Sequence, residues 1–286
     1  MDLRVASAIT LFLSLTLLPG TSCVPSPTPT GTTTSSPESP FALDRPVAEI
    51  NLDASLNEIS GLTLLDSVTL GAVQDERGRL YQLPLSTGQI ASVSDFHGRG
   101  DFEGVERVGP DLWALQSDGD LFLLDDDGED ARKFETPLST AFDTEGLAYD
   151  VARHRLLVAC KEYPGDGLDG FRAVYAFDLE TETLQPRPAL LLDLRADARL
   201  RTFKPSAIAF HPQTSWWLLL SSTTPMLAAL DTSSQYVGAW PLPEARLPQP
   251  EGLAVLPSGD LLIASEGRPA RIARFSYVPP TTRSPD

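Results

Sequence analysis

A five-residue phrase recurs five times in this chain, and its spacing constrains the fold more tightly than any bulk property. It reads Glu58-Ile59-Ser60-Gly61-Leu62, Asp101-Phe102-Glu103-Gly104-Val105, Asp143-Thr144-Glu145-Gly146-Leu147, Lys204-Pro205-Ser206-Ala207-Ile208 and Gln249-Pro250-Glu251-Gly252-Leu253. Aligned on the residue before the small one, the copies stand 43, 42, 61 and 45 residues apart. A period in the low forties, filled with short strand-like runs, is that of a β-propeller blade.

Each copy opens the same succession of four strands. In the first repeat these are expected over Gly61–Leu65, Val68–Gln74, Arg79–Leu83 and Gln89–Ser94. Glycines in Arg77-Gly78, Asp118-Gly119, Asp127-Gly128 and Ser258-Gly259 fit hairpin turns that need positive φ. The long step of 61 contains two local additions, a glycine-rich loop at Glu162–Gly170 and a short helix or turn at Asp193–Phe203. The last repeat lacks a fourth strand, because Val278-Pro279-Pro280 ends it, while Val47–Leu52 is a strand without a blade. The two deficits cancel if the N-terminal strand completes the last blade and removes the exposed edges. The expected fold is therefore all-β, a five-bladed propeller with four antiparallel strands per blade, over residues 45–279, followed by a C-terminal tail at 280–286.

The N-terminal 44 residues read differently. Arg4, an apolar run from Ala8 to Leu18 and the small residues before Cys23 have the form of an export leader over residues 1–23. The run is too short to span a bilayer, which takes about 20 residues, but suits a signal-peptide core. Cys23 is the expected lipidation point, with an ordinary secretory cleavage nearby as the alternative. Residues 24–44 are rich in Pro, Ser and Thr and form an expected tether, able to reach about 60 Å if extended. Lipidation of Cys23 would leave Cys160, the second of the two cysteines, with no partner within the chain. Localisation follows: an exported protein of the bacterial cell envelope, held on a membrane through Cys23, or else periplasmic or secreted.

Net charge of −17 argues against nucleic acid, which demands a basic face. Three histidines and no Cys-x-x-C spacing leave zinc without a ligand set. Over residues 46 to 278 the ordered motifs, Ser60-Gly61-Leu62, Asp101-Phe102-Glu103-Gly104, Glu145-Gly146-Leu147-Ala148-Tyr149-Asp150, Phe203-Lys204-Pro205-Ser206-Ala207 and Pro250-Glu251-Gly252-Leu253, resemble the SdiA-regulated, YjiK-like envelope proteins. More distantly they are similar to NHL repeats and calcium-dependent lactonase-type propellers. The resemblance implies a five-bladed propeller, export and a calcium ion, and implies no established reaction.

In a propeller the first strand of each blade lines the central channel, and the second strand returns to the same mouth. The mouth at the strand starts therefore gathers Ser60, Glu103, Glu145, Ser206 and Glu251. It also gathers the second-strand ends, which include Asp75, Asp118, Lys161, Glu162 and Glu266. Oxygen ligands of this kind suit a hard cation, and calcium on Glu103, Glu145 and Glu251 is the expected occupant. Two carboxylates about 6 Å apart repel by about 3 kcal/mol at an effective dielectric near 20. Three must be compensated by a cation, by raised pKa values or by Lys161. The competing structural reading has the glutamates bracing adjacent blades. A structural repeat has no evident need to alternate Ser with Glu at one position, and an off-centre cation does.

Two function classes follow: a binding or scaffold module for a small molecule or an envelope protein, expected to be monomeric, or a calcium-dependent lactonase or esterase at the same mouth. The second needs a base. Of the histidines only His97, in Phe96-His97-Gly98-Arg99-Gly100, is expected on the correct side; no Gly-x-Ser-x-Gly nucleophile signature is present.

Overall fold

A computed structural model describes residues 37–125, 128 and 130–279. The leader, Cys23, most of the tether, the tail and Asp126-Asp127 lie outside the described residues. The five repeats form five antiparallel sheets, each a meander in which neighbouring strands are consecutive in sequence. Blade 1 comprises Ile59–Leu64, Thr69–Gln74, Arg77–Pro84 and Ser92–Arg99; blade 2 comprises Phe102–Val108, Asp111–Gln116, Leu121–Leu124 and Ala131–Phe134. In blade 3, Thr144–Asp150, Arg155–Cys160 and Phe171–Asp178 are followed by an edge split into Thr183–Leu184 and Leu190–Asp193. Blade 4 is Pro205–His211, Trp216–Ser221, Met226–Asp231 and Tyr236–Pro241. Blade 5 is Pro250–Val255, Leu261–Ser265 and Arg271–Phe275, and its outer strand is Ala48–Asn51 from the other end of the chain. The expected seam is present, with Ala48 opposite Arg274 and Asn51 opposite Arg271. Each first strand packs on the first strands of both neighbouring blades, which closes the ring. The chain is a five-bladed β-propeller.

The core lies between blades rather than at one centre. Leu157, Val174 and Leu190 of blade 3 meet Ile208, Leu219 and Ala228 of blade 4. Leu62, Leu70 and Tyr81 of blade 1 meet Ala254, Leu262 and Ile272 of blade 5. Each sheet is apolar on both faces because each face is covered by a neighbour, so the inner strands read as continuous apolar runs.

Glycine after the bulged position lets the inner strands approach. A Cβ on Gly61 would lie 2.8 Å from Val73 Cγ2 and 3.0 Å from both the Cα of Gly104 and the backbone nitrogen of Val105. Two of these are backbone atoms of the next blade, which cannot swing aside. Gly61→Ala is expected to lower stability by about 1–3 kcal/mol, the usual cost of overpacking. Urea unfolding measures it, and an unchanged midpoint would refute the close-approach argument.

Three expectations are corrected by the coordinates. Gly119, Gly128 and Gly259 have φ of +93°, +67° and +88°, as turn glycines should. Gly78 does not: it sits within the third strand of blade 1, where a Cβ would lie 2.4 Å from that of His97. The fourth strand of that blade extends to Arg99, so His97 is a strand residue and not a loop residue. The tether also ends earlier than residue 44. Phe41 and Leu43 are buried beside blades 4 and 5, Phe41 bridges Tyr277, and Trp240 Nε1 donates to the Pro37 carbonyl at 2.8 Å. Two apolar residues at the end of a polar tract suffice to dock it. The expected short helix or turn is a 3-10 turn over Ala198–Thr202, capped by the Asp197 carboxylate, which accepts from Arg199 N.

Candidate functional site

The recurrent phrase marks a structural device that spacing alone does not show. In blade 1, Ile59 pairs with Gln74 and Gly61 with Val73, so Ser60 has no partner across the ladder. The same skip isolates Glu103, Glu145, Ser206 and Glu251. All five aligned residues are therefore β-bulges, which bend a strand and re-aim the bulged side chain. Ser60, Glu103, Glu145 and Glu251 line one constriction of the channel, around a cavity of about 10 Å³. That is room for about one water molecule or one ion.

The two serines have a structural task. Ser60 Oγ donates to the Phe102 carbonyl at 2.6 Å, and Ser206 Oγ donates to the Pro250 carbonyl at 2.7 Å. Each serine thus clasps the next blade at the residue immediately before a glutamate, Glu103 in one case and Glu251 in the other. A carboxylate has no proton to donate in this way. The Ser–Glu alternation consequently has a bracing component, and the expectation that a structural repeat has no use for it is corrected. Blade 3 is braced in the other direction, by Thr144, whose hydroxyl donates to the Gln116 carbonyl of the preceding blade at 2.9 Å.

The glutamates are held in a strongly unfavourable field. Burial, followed by the Glu145 charge and then Asp101 and Glu251, pushes the Glu103 carboxyl well above its usual range. Glu145 is raised by burial and by Glu251, while an ion pair with Lys161 pulls it back. Burial also raises Glu251, against Lys161 and the nearby Ser222, Gln249 and Ser206 side chains. Its Oε2 atom is buried and has no hydrogen-bond partner. At Lys161 burial opposes the charge, but Glu145, then Glu251 and Asp143, more than offset it. The Lys161 backbone is fixed by its N–H donating to the Asp143 carbonyl at 2.8 Å.

The other expected mouth residues divide. Asp75 is pushed up to about 6 by burial and by the charges of Glu58 and Asp101; Glu266 is pushed up to about 8 by burial and by Glu251 and Asp75. Both belong to the same acidic field. Asp118 instead caps its own turn, accepting from Asp120 N at 3.1 Å, and Glu162 pairs with Lys204. Asn57 was not anticipated as a contributor: its Oδ1 and that of Asp75 are buried without partners. Its position at the head of the first repeated phrase was the available signal.

None of the histidines lies against the glutamates. His97 sits exposed on the outermost strand of blade 1, edge-on to Phe102 and Phe122 at 5.7 and 5.2 Å. His154 bonds the Tyr149 hydroxyl, and His211 is buried with Nε2 2.9 Å from the Gly259 carbonyl oxygen. Among the described residues no group of three or more His, Cys, Asp or Glu side chains is already positioned to hold a metal ion. Cys160 is buried and free, its thiol pushed up to about 12 by burial.

Comparison with solved structures supports the architecture. Glutaminyl cyclase of Myxococcus xanthus is 15% identical, with a TM-score of 0.57 over 81% of this chain and 95% of that one. The PQQ-bound aldose sugar dehydrogenase of Streptomyces coelicolor is 12% identical, with a TM-score of 0.51 over 81% and 97%. At such identities the likeness concerns the fold alone. No curated protein is recognisably similar in sequence. The model of the SdiA-regulated family matches residues 40–276, from the docked Pro40-Phe41 to the last strand of blade 5. Five bulged repeats, the N-terminal seam and that match together place this chain in the SdiA-regulated family.

Proposed function

We propose that the protein is a ligand-binding module of the bacterial cell envelope, exported by its leader and tethered through Cys23, whose channel constriction takes a calcium ion on Glu103, Glu145 and Glu251. The observation that carries the metal assignment is the unpartnered, buried Oε2 of Glu251 beside the buried Glu145, the half-buried Glu103 and a single lysine. Fully ionised, three carboxylates against one ammonium would leave two negative charges in a space for one ion, and without a cation burial raises all three carboxyls instead. The donors are all oxygen, which matches the preference of a hard divalent cation. When bound, the ion would supply a fixed positive centre at the floor of the acidic mouth. The surrounding residues do the rest: the Ser60 and Ser206 clasps hold the backbone beside Glu103 and Glu251, and Lys161 holds Glu145. Asp75, Glu266 and Asn57 form the outer rim that a ligand meets first.

Thermal unfolding across a calcium titration tests this, with magnesium as control. At a calcium concentration of 100 times Kd the gain is about 2.7 kcal/mol. The gain is expected to vanish in the variant with Glu103→Gln, Glu145→Gln and Glu251→Gln. No shift at millimolar calcium, with that variant as stable as the parent, would remove the assignment.

A further inference from the structure

Beyond the constriction the channel widens into a cavity of about 530 Å³, a size typical of small-molecule sites. Its wall is built from two successive rings of the five inner strands, three and four residues after the bulge. The first ring is Thr63, Glu106, Ala148, Ala209 and Ala254. Four of its five members are small, and the space they leave is faced by one carboxyl group. The second ring is apolar or aromatic at four places, Leu64, Tyr149, Phe210 and Val255, with Arg107 at the fifth.

Glu106 is half-buried, enclosed by the blades and open to the cavity. No side chain among the described residues forms an ion pair with it, and no described side chain donates a hydrogen bond to it. The basic residue on the same wall is engaged elsewhere: Arg107 is exposed and its Nε donates to the Gly109 carbonyl at 2.7 Å. Its carboxyl is met only by the Arg107 backbone N–H, and a carboxyl on an apolar wall is costly without a counter-charge. The structural task that explains the serines does not extend to Glu106, since the equivalent position in three blades is alanine.

We infer that this far mouth is a second binding site, selective for a small hydrophobic molecule bearing one protonated amine, with Glu106 as its anchor. The amine supplies the missing counter-charge, and the Tyr149 and Phe210 rings offer faces on which a cation is favoured. The Tyr149 hydroxyl is already bonded to His154 Nδ1 at 2.9 Å, so its polar tip is engaged. Anionic ligands are disfavoured by the net charge of −17. Burial pushes the Glu106 carboxyl up to about 8, so the empty site favours a proton that an ammonium group would displace. The site stands independently of calcium at the constriction.

Isothermal titration of the whole protein with benzylamine, phenethylamine and hexylamine, against benzyl alcohol and benzoate, tests the assignment. At least one amine is expected to bind with millimolar affinity or better, benzyl alcohol at least tenfold more weakly, and benzoate not at all. Glu106→Gln is expected to lose tenfold or more for the amine while keeping its melting temperature and its affinity for the alcohol. Glu106→Asp, which keeps the charge on a shorter arm, is expected to fall between. The variant with all three constriction glutamates changed to Gln should still bind the amine, which separates this site from the calcium site. Equal affinity for amine and alcohol, unaltered amine binding by Glu106→Gln, or no saturable binding of any of the three amines below about 10 mM would each overturn the assignment.

Discussion

Deletion of residues 37–51 is expected to abolish cooperative folding, although it removes only one short strand and the segment before it. That strand, Ala48–Asn51, is the outer strand of blade 5 and covers the edge of Arg271–Phe275. Without it that edge presents unpaired N–H and C=O groups, the template for intermolecular strand pairing. The preceding segment carries Phe41, 2% exposed and edge-on to His211 at 5.0 Å, and Leu43, 5% exposed in the same cluster. Its backbone is pinned where Val47 N donates to the Arg274 carbonyl at 2.8 Å and Ala42 N to the Ser276 carbonyl at 3.0 Å. Truncating one buried Phe costs about 3–5 kcal/mol and one buried Leu about 2–5, against a total domain stability of about 5–15 kcal/mol. Losing both with a whole strand exceeds what such a domain can spare. The shortened protein is expected to show no sigmoidal melt by circular dichroism and to scatter light as it associates. Phe41→Ala alone should still melt cooperatively, at a stability lower by about 3 kcal/mol. A deletion variant that melts cooperatively near the parent temperature would show that the ring closes without its seam.

The ring was legible because its signals are periodic. Five copies of one phrase fix the blade count, and an unmatched strand at the N-terminal end with a missing one in the last repeat fixes the seam. Strand pairing in register is not periodic information, so the bulge at Ser60, Glu103, Glu145, Ser206 and Glu251 could not be read from spacing. It appears only when the residues opposite are known. His97 was misplaced for a related reason: Phe96-His97-Gly98-Arg99-Gly100 has loop composition, yet Arg77 pairs with Arg99 and draws the segment into the sheet. Phe41 and Leu43 were absorbed into the tether by their Pro- and Ser-rich neighbours, although two apolar side chains were enough to dock it. Glu106 lacks any local motif. Its signal was the column three residues after the bulge, where Thr63, Ala148, Ala209 and Ala254 are small and one residue is charged.

Lys161→Met is expected to be almost neutral at pH 5 and to cost about 2 kcal/mol near pH 10.5. Lys161 is the cation that the constriction supplies to Glu145, whose side chain is 5% exposed. Beside it Glu145 is pushed up to about 9 by burial and the Glu251 charge. With Lys161 removed, burial and that charge are unrelieved, and the folded state keeps the carboxyl protonated to higher pH. The unfolded chain ionises the same group above about 4.5, so the folded protein holds one more proton than the unfolded one. A carboxyl raised in the folded state contributes stability fully below its unfolded value, and that contribution is lost as the pH rises toward the folded one. Glu103, pushed up to about 10 mainly by burial and then by Glu145, already imposes this decline on the parent protein over the same range. Each pH unit across the window costs about 1.4 kcal/mol per group. That decline stops near pH 9 in the parent and continues in Lys161→Met, which over about one and a half further units gives the stated loss. Adding Glu145→Gln to Lys161→Met is expected to recover most of that loss at pH 10.5, because an amide has no proton to hold. Urea unfolding of the four proteins at pH 5 and pH 10.5 closes the double-mutant cycle. A Lys161→Met deficit that is the same at both pH values, or that Glu145→Gln leaves untouched, would mean that Lys161 acts by packing its methylenes and that the charge balance of the constriction is set elsewhere.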